Sequence, residues 1–198
     1  MNLYAPKAQI TAALNPVVRG LARRGVAPDA ISLASLPVAL LAAVCLLISP
    51  STPTALLAIP LLAAGRLVLN ILDGALARST GRSHPRGELL NEVVDRAADI
   101  AFLAPVAWLP GASAPVVLVG VLGAVLASYV GVVAKVAGGR RLYGGVLSKP
   151  GRMVLVSVAA VAAYLYGDGA WGPFGIILCV GVGLTFLERL TVAIRELA

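Results

Sequence analysis

The chain has 198 residues, of which 59% are hydrophobic and only 13% charged, with a mean hydropathy of +0.93, which excludes an ordinary soluble domain and implies an integral membrane protein. Its apolar residues fall in runs near the ~20 residues that cross a hydrocarbon core, not in alternating segments of roughly ten, so a transmembrane barrel is excluded in favour of helices. The net charge of +7 and pI near 10.0 would suggest nucleic acid in a soluble protein, but the bases lie in connections between apolar runs, where they set orientation, so no nucleic-acid partner is expected.

Residues 5–24 place Ile10, Leu14, Val17, Val18 and Leu21 at helical spacing, with Lys7, Arg19, Arg23 and Arg24 elsewhere, which predicts an amphipathic helix lying in the membrane interface. Pro16 is expected to bend or interrupt it, and Gly25 to end it. No signal peptide is read, since the first long apolar run begins only near Ile31. Pro28 and Asp29 form a turn and an N-cap candidate before a first span over Ile31 to Ile48. A second apolar helix over Thr54 to Ala77 is interrupted by Arg66, Asn70 and Asp73. A basic loop over Arg78 to Arg86 follows, then a third helix over Gly87 to Trp108 that is polar in its first half. Further spans are expected over Val116 to Val136, Gly151 to Tyr166 and Phe174 to Leu190, the first two joined by a basic, Gly-rich loop. Cys45 and Cys179 sit inside apolar runs without metal-ligand spacing and are expected to be buried spectators.

The reading is an all-α integral membrane protein, one membrane domain over 1–198, with an interfacial helix at 5–24 and a bundle of six transmembrane helices over 31–195. Lys and Arg concentrate in the N-terminal segment, the Arg78 to Arg86 loop and the Lys135 to Arg152 connection, while the three alternate loops hold none. That alternation predicts both termini, and the polar ends of helices two and three, on the cytoplasmic side.

Intramembrane Asp and Arg are costly and point to a site or to a structural ion pair. Helices two and three are antiparallel across a short loop, so residues equally far from it lie at similar depth, at ~1.5 Å per residue. Asp73 then falls near Asn91 or Glu92, Asn70 near Asp95, and Arg66 near Asp99. Arg66, Asn70 and Asp73 share one face of helix two; Gly87, Asn91, Asp95 and Asp99 share one face of helix three. Gly74 and Ala77 supply the small side chains that let helices approach closely. The pattern suggests a polar cavity open to the cytoplasm, suited to Mg²⁺ together with substrate phosphate, with Arg78, Arg82 and Arg86 at its mouth as phosphate contacts or as orientation signals alone. Arg66 with Asp99 is expected to be a structural pair, Glu88, Glu92 and Arg96 an exposed charged stripe, and His84 a solvated loop residue. A small cation or proton transporter is disfavoured, because no inverted repeat or matched pair of broken helices is present and the polar groups cluster at one end of the membrane.

Asn70, Asp73, Gly74, Ala77, Arg78, then eight residues, Gly87, Asn91 and Asp95 resemble the signature of the CDP-alcohol phosphotransferases, D-x-x-D-G-x-x-A-R, eight residues, G-x-x-x-D-x-x-x-D. Pro28-Asp29 with Ser32, Ser128-Tyr129 with Lys135, and Lys149-Pro150-Gly151-Arg152 are similar to further features of that family. The resemblance implies transfer of a substituted phosphate, commonly phosphatidyl from CDP-diacylglycerol, to an alcohol with release of CMP in phospholipid synthesis, by a homodimer among membrane lipids. It implies Asp95 as the base; Asp73, Asp95, Asn70 and Asn91 as ligands of Mg²⁺ or Mn²⁺; and Asn70, Asp73, Gly74, Ala77, Arg78 and Gly87 as the nucleotide site. Lys135, Arg140, Lys149 and Arg152 become candidates for an acceptor phosphate or head group. The acceptor alcohol is not named by the sequence. The family's first and third Asp positions are Asn70 and Asn91 here, which removes two negative charges while keeping oxygen ligands of similar shape. That departure raises the alternative of a catalytically silent relative that holds a CDP-lipid or partners an active enzyme.

Overall fold

A computed structural model describes residues 4–81 and 84–197, with side chains from residue 13 onward. Every element among the described residues is helical. The helices are α1 (Tyr4–Arg23), α2 (Pro28–Ile48), α3 (Ala58–Thr80), α4 (Pro85–Leu103), α5 (Ala114–Val136), α6 (Lys149–Tyr166) and α7 (Trp171–Leu197), with short 3₁₀ turns at Pro53–Leu57, Ala104–Trp108 and Asp168–Ala170. Four stretches are long and apolar enough to cross a membrane: Pro28–Ile48, Pro53–Thr80, Ala114–Val136 and Asp168–Leu197. Helix α4 is too polar for that measure because Arg86, Glu88, Glu92, Asp95, Arg96 and Asp99 all lie on it.

Several helix ends differ from the expected ones, each for a local reason. Helix α2 starts at Pro28, since proline in a first turn gives up no helical hydrogen bond, and Asp29 there suits the positive end of the helix dipole. Helix α3 runs past Arg78 to Thr80: the Ser79 and Thr80 hydroxyls donate back to the Leu76 carbonyl at 3.0 and 2.8 Å. Gly81, at φ 65°, then closes the helix in the left-handed conformation with its N–H on the Ala77 carbonyl. The expected basic loop is therefore shorter, with Arg78 on α3 and Arg86 on α4; Arg82 lies outside the described residues. The third helix ends at Leu103, not Trp108, because Pro105 has no N–H to continue the ladder, and the chain tightens into a 3₁₀ turn. Pro16 lies inside α1 without ending it; the side chains of Lys7 and Ile10, also assigned to that helix face, lie outside the described residues.

Helix α2 packs on α3 and α4, α3 on α6, α1 on α3, and α5 on α7. The core holds many small residues, among them Ala39, Ala42, Ala98, Ala124 and Ala160, which bring backbones close where no aqueous hydrophobic drive operates between helices in lipid. Phe102, Trp171 and Phe174 fill the space between the helix pairs, the last two edge to face with centroids 5.9 Å apart. Leu40, Leu41, Val44, Leu122, Val158 and Ile176 are exposed on the outside, the apolar belt that a bilayer would cover. Cys45 and Cys179 are free and partly buried.

Candidate active site

The polar residues of α3 and α4 meet in rungs. At the bottom, Arg66, fully buried, forms an ion pair with Asp99, its Nη2 2.7 Å from Oδ1, and donates Nη2 to the Asp95 carbonyl at 3.1 Å. Arg152 from α6 approaches the same carboxylate, its Nη2 3.0 Å from Asp99 Oδ2, and also donates to the Leu147 carbonyl. One buried carboxylate thus balances part of the charge of two guanidiniums. One level up, Asn70 Nδ2 lies 3.2 Å from each oxygen of Asp95, and Lys149 Nζ lies 2.6 Å from Asp95 Oδ1. Nearest the mouth, Asp73 accepts the Ser32 hydroxyl at 2.8 Å and the Gly74 N–H at 2.5 Å.

Above these rungs opens a cavity of about 410 Å³ whose wall includes Asp73, Gly74, Ala77, Arg78, Gly87 and Asn91. Helix α2 contributes Pro28, Asp29 and Ser32, and the far rim is Glu88 and Arg141. The α4 edge is set by His84, which is not merely solvated: its Nδ1 accepts the Gly87 N–H at 2.8 Å and so caps the helix. Close approach also explains Gly87, where an added Cβ would stand 2.9 Å from Asp29 Oδ1 and 3.0 Å from the His84 ring. The carboxylate of Asp73, the Asn91 amide oxygen and the neighbouring Asp95 and Asn70 are hard oxygen donors of the kind that hold Mg²⁺ or Mn²⁺ along with phosphate oxygens. Each Asp73 oxygen retains a lone pair after its one hydrogen bond, so this donor set fits a divalent cation.

A second cavity, of about 390 Å³, lies alongside, and its lining includes Arg140, Arg141, Tyr143, Gly144, Glu188 and Arg189. Its floor is held by Arg189 of α7, which donates to the carbonyls of Ala127, Tyr143 and Gly144 at 2.7, 2.8 and 2.8 Å. Thr185 on the same helix accepts the Leu147 N–H at 2.8 Å. The loop between α5 and α6 is therefore strapped onto α7 through its backbone.

The structure brings Asn70, Asp73, Gly74, Ala77, Arg78, Gly87, Asn91 and Asp95 together as the spacing implied. Of the cations assigned to an acceptor, Lys149 and Arg152 reach Asp95 and Asp99, whereas Lys135 and Arg140 stay at the rim, with side chains 49% and 74% exposed. Lys135 pairs there with Glu88, and Arg140 with Glu196. The expected exposed stripe of Glu88, Glu92 and Arg96 holds at Glu88 and is corrected at the other two: the Glu92 side chain is only 13% exposed, paired with Arg96 at 2.9 Å and with Arg141. Arg141 folds over this stripe from the α5–α6 loop, its guanidinium 4.7 Å from the Tyr143 ring centroid. Ser32, Asp29, Arg141 and Arg189 were not assigned to the site from the sequence. For Asp29 and Ser32 a signal existed, since their i, i+3 spacing puts both on one face of α2; for the two arginines none did.

The sequence model of the CDP-alcohol phosphatidyltransferase family matches residues 25–187. The chain is 31% identical over 166 residues to the inner membrane protein YnbA of Escherichia coli, covering 84% of this chain and 82% of that protein. It is 30% identical over 159 residues to a phosphatidylinositol phosphate synthase of Mycobacteroides abscessus, covering 77% and 70%. In fold it is similar to the phosphatidylinositol phosphate synthase of Mycobacterium tuberculosis in complex with manganese and citrate, at a TM-score of 0.75 with 24% identity and coverage of 91% and 88%. The same enzyme with CDP-DAG bound superposes at 0.74 with 24% identity and coverage of 90% and 92%.

Proposed function

Since the chain belongs to the CDP-alcohol phosphatidyltransferase family, we propose that it transfers the phosphatidyl group of CDP-diacylglycerol to an alcohol and releases CMP. The observation that carries this reading is the convergence of Asp73, Gly74, Ala77, Arg78, Gly87 and Asn91 on one cavity with Asp95 beside it. Similarity to a phosphatidylinositol phosphate synthase supports a lipid-linked donor. In this reading the diacyl chains lie in the surrounding bilayer against the apolar belt, with α2 to α7 crossing it and α1 in the interface.

Gly74 and Gly87 leave room for the nucleotide, and Arg78 meets the pyrophosphate from the last turn of α3. The acceptor enters from the neighbouring cavity, where Arg140 and Arg141 are the cations at hand, with Lys135 at the rim. Asp95 takes the acceptor's hydroxyl proton as its oxygen bonds to the phosphatidyl phosphorus; the bond from that phosphorus to the CMP oxygen breaks, and CMP leaves as a phosphate monoester. Lys149 and Asn70 orient the Asp95 carboxylate for this, while Arg152 holds Asp99 below. A bound Mg²⁺ or Mn²⁺, held by Asp73 and Asn91 with Asp95 and Asn70 nearby, would neutralise the pyrophosphate charge. The site opens to the cytoplasm, and the working unit is a homodimer.

Purified protein supplied with CDP-diacylglycerol, Mg²⁺ or Mn²⁺ and a panel of alcohols and phosphorylated alcohols is expected to release CMP with at least one acceptor. Asp95→Asn is expected to lower that release at least 10²-fold, the scale of a lost general base. The Asn70 and Asn91 amides favour a second reading, a silent relative that binds the CDP-lipid. That reading requires no CMP from the natural chain and activity gained only in an Asn70→Asp, Asn91→Asp double variant.

A further inference from the structure

We propose that this chain binds its CDP-alcohol with one divalent cation, and that the Lys149 ammonium supplies on Asp95 the positive charge of a second. The inference rests on the cavity being a CDP-alcohol site. The two signature carboxylates that remain sit in different surroundings. Asp95 is already engaged by charge: Lys149 Nζ lies 2.6 Å from Oδ1, Arg96 Nη2 lies 3.8 Å from Oδ2, and the Asn70 amide faces both oxygens at 3.2 Å. Asp73 accepts only neutral donors, the Ser32 hydroxyl and the Gly74 N–H, and it opens onto the cavity together with Asn91. Of the two remaining signature carboxylates, only Asp73 lacks a cationic side chain on its oxygens, so a cation entering with the substrate meets uncompensated charge there and not at Asp95.

Charge balance in the low-dielectric interior leads to the same count. Asp73, Asp95 and Asp99 equal Arg66, Lys149 and Arg152 in number, with all three cations on Asp95 and Asp99, so these six groups carry no net charge before any ion enters and the negative charge left over sits at Asp73. A pyrophosphate diester brings one ionised oxygen on each phosphorus, and one divalent cation offsets both. Carboxylates at positions 70 and 91 would leave two further negative charges, which a second divalent cation would offset. With amides there, a second ion would be an uncompensated double charge, and it would have to displace an ammonium already on Asp95.

The full-length protein in lipid nanodiscs containing CDP-diacylglycerol, titrated with Mn²⁺ and followed by the electron paramagnetic resonance signal of free Mn²⁺, is expected to bind one ion per chain. Lys149→Arg, which keeps the charge, leaves the count at one. Asn70→Asp with Asn91→Asp raises it to two, and adding Lys149→Met to that pair tightens the second ion at least tenfold, because ammonium and metal compete for Asp95. Two ions on the natural chain, none, or a second ion indifferent to Lys149 would overturn the proposal. CMP release measured alongside separates the two claims: two ions with CMP release defeats the metal count and leaves the transferase reading, whereas one ion without CMP release defeats the transferase reading alone.

Discussion

At the scale of single residues, Asp99 illustrates how a signature-adjacent carboxylate comes to serve stability. Its two oxygens face Arg66 and Arg152, and all three side chains are buried. Asp99→Asn would leave two guanidiniums without their anion in a dry interior, a loss of about 3–5 kcal/mol on the scale of broken buried pairs. Chemical unfolding in detergent should show the midpoint falling well below that of the natural chain; an unchanged midpoint would mean that water reaches the pair. Depth counting from the short loop was enough to pair Arg66 with Asp99 and Asn70 with Asp95, because both helices are regular and antiparallel between those positions. It could not reveal Arg152 on Asp99 or Lys149 on Asp95. Those partners arrive on α6, and no spacing rule links α6 to α4.

Helices and the loops between them depend on contacts that sequence periodicity does not encode. The α5–α6 connection reads as a basic, Gly-rich loop, yet its backbone is strapped to α7 by Arg189 and Thr185. Arg189→Met should release three carbonyls and loosen the wall of the second cavity. Hydrogen exchange at the amides of residues 143–147 is the measurement, with an expected acceleration of roughly tenfold or more if even one charge-assisted bond's worth of protection, about 1.5 kcal/mol, is lost. Exchange unchanged in this loop but faster throughout α7 would instead place the role of Arg189 in its own helix. The ends of α3 and α4 were misjudged from the sequence by a few residues for a related reason. Hydroxyls of Ser79 and Thr80 and the His84 ring supply the caps, and such side-chain bonds extend helices into stretches that composition marks as loop.

For the whole molecule, the proposed orientation rests on where the bases cluster. The cavity lined by Arg78 lies at the same end of the bundle as the Arg140–Arg141 cavity, since Arg141 lines both. In a protein freed of Cys45 and Cys179 by alanine, a cysteine at Arg86 should resist a membrane-impermeant maleimide in intact cells and react after permeabilisation. One at Ser113, on the uncharged turn before α5, should react in both. The reverse pattern would invert the assignment and move the site to the other face.

The sequence alone determined that this is a helical membrane protein, which residues of α3 and α4 face one another, and which family they resemble, because these depend on composition, helical period and fixed spacing within one hairpin. Only the tertiary structure decided how that polar face is completed. Ser32 reaches Asp73 from α2, Lys149 and Arg152 reach Asp95 and Asp99 from α6, and Arg141 closes over Glu88 and Glu92. The physical reason is that a buried charge must find its partner wherever packing brings one within reach. Proximity between helices far apart in the chain is set by the shapes of Ala-lined and aromatic-filled interfaces, and that information resides in the packed bundle as a whole.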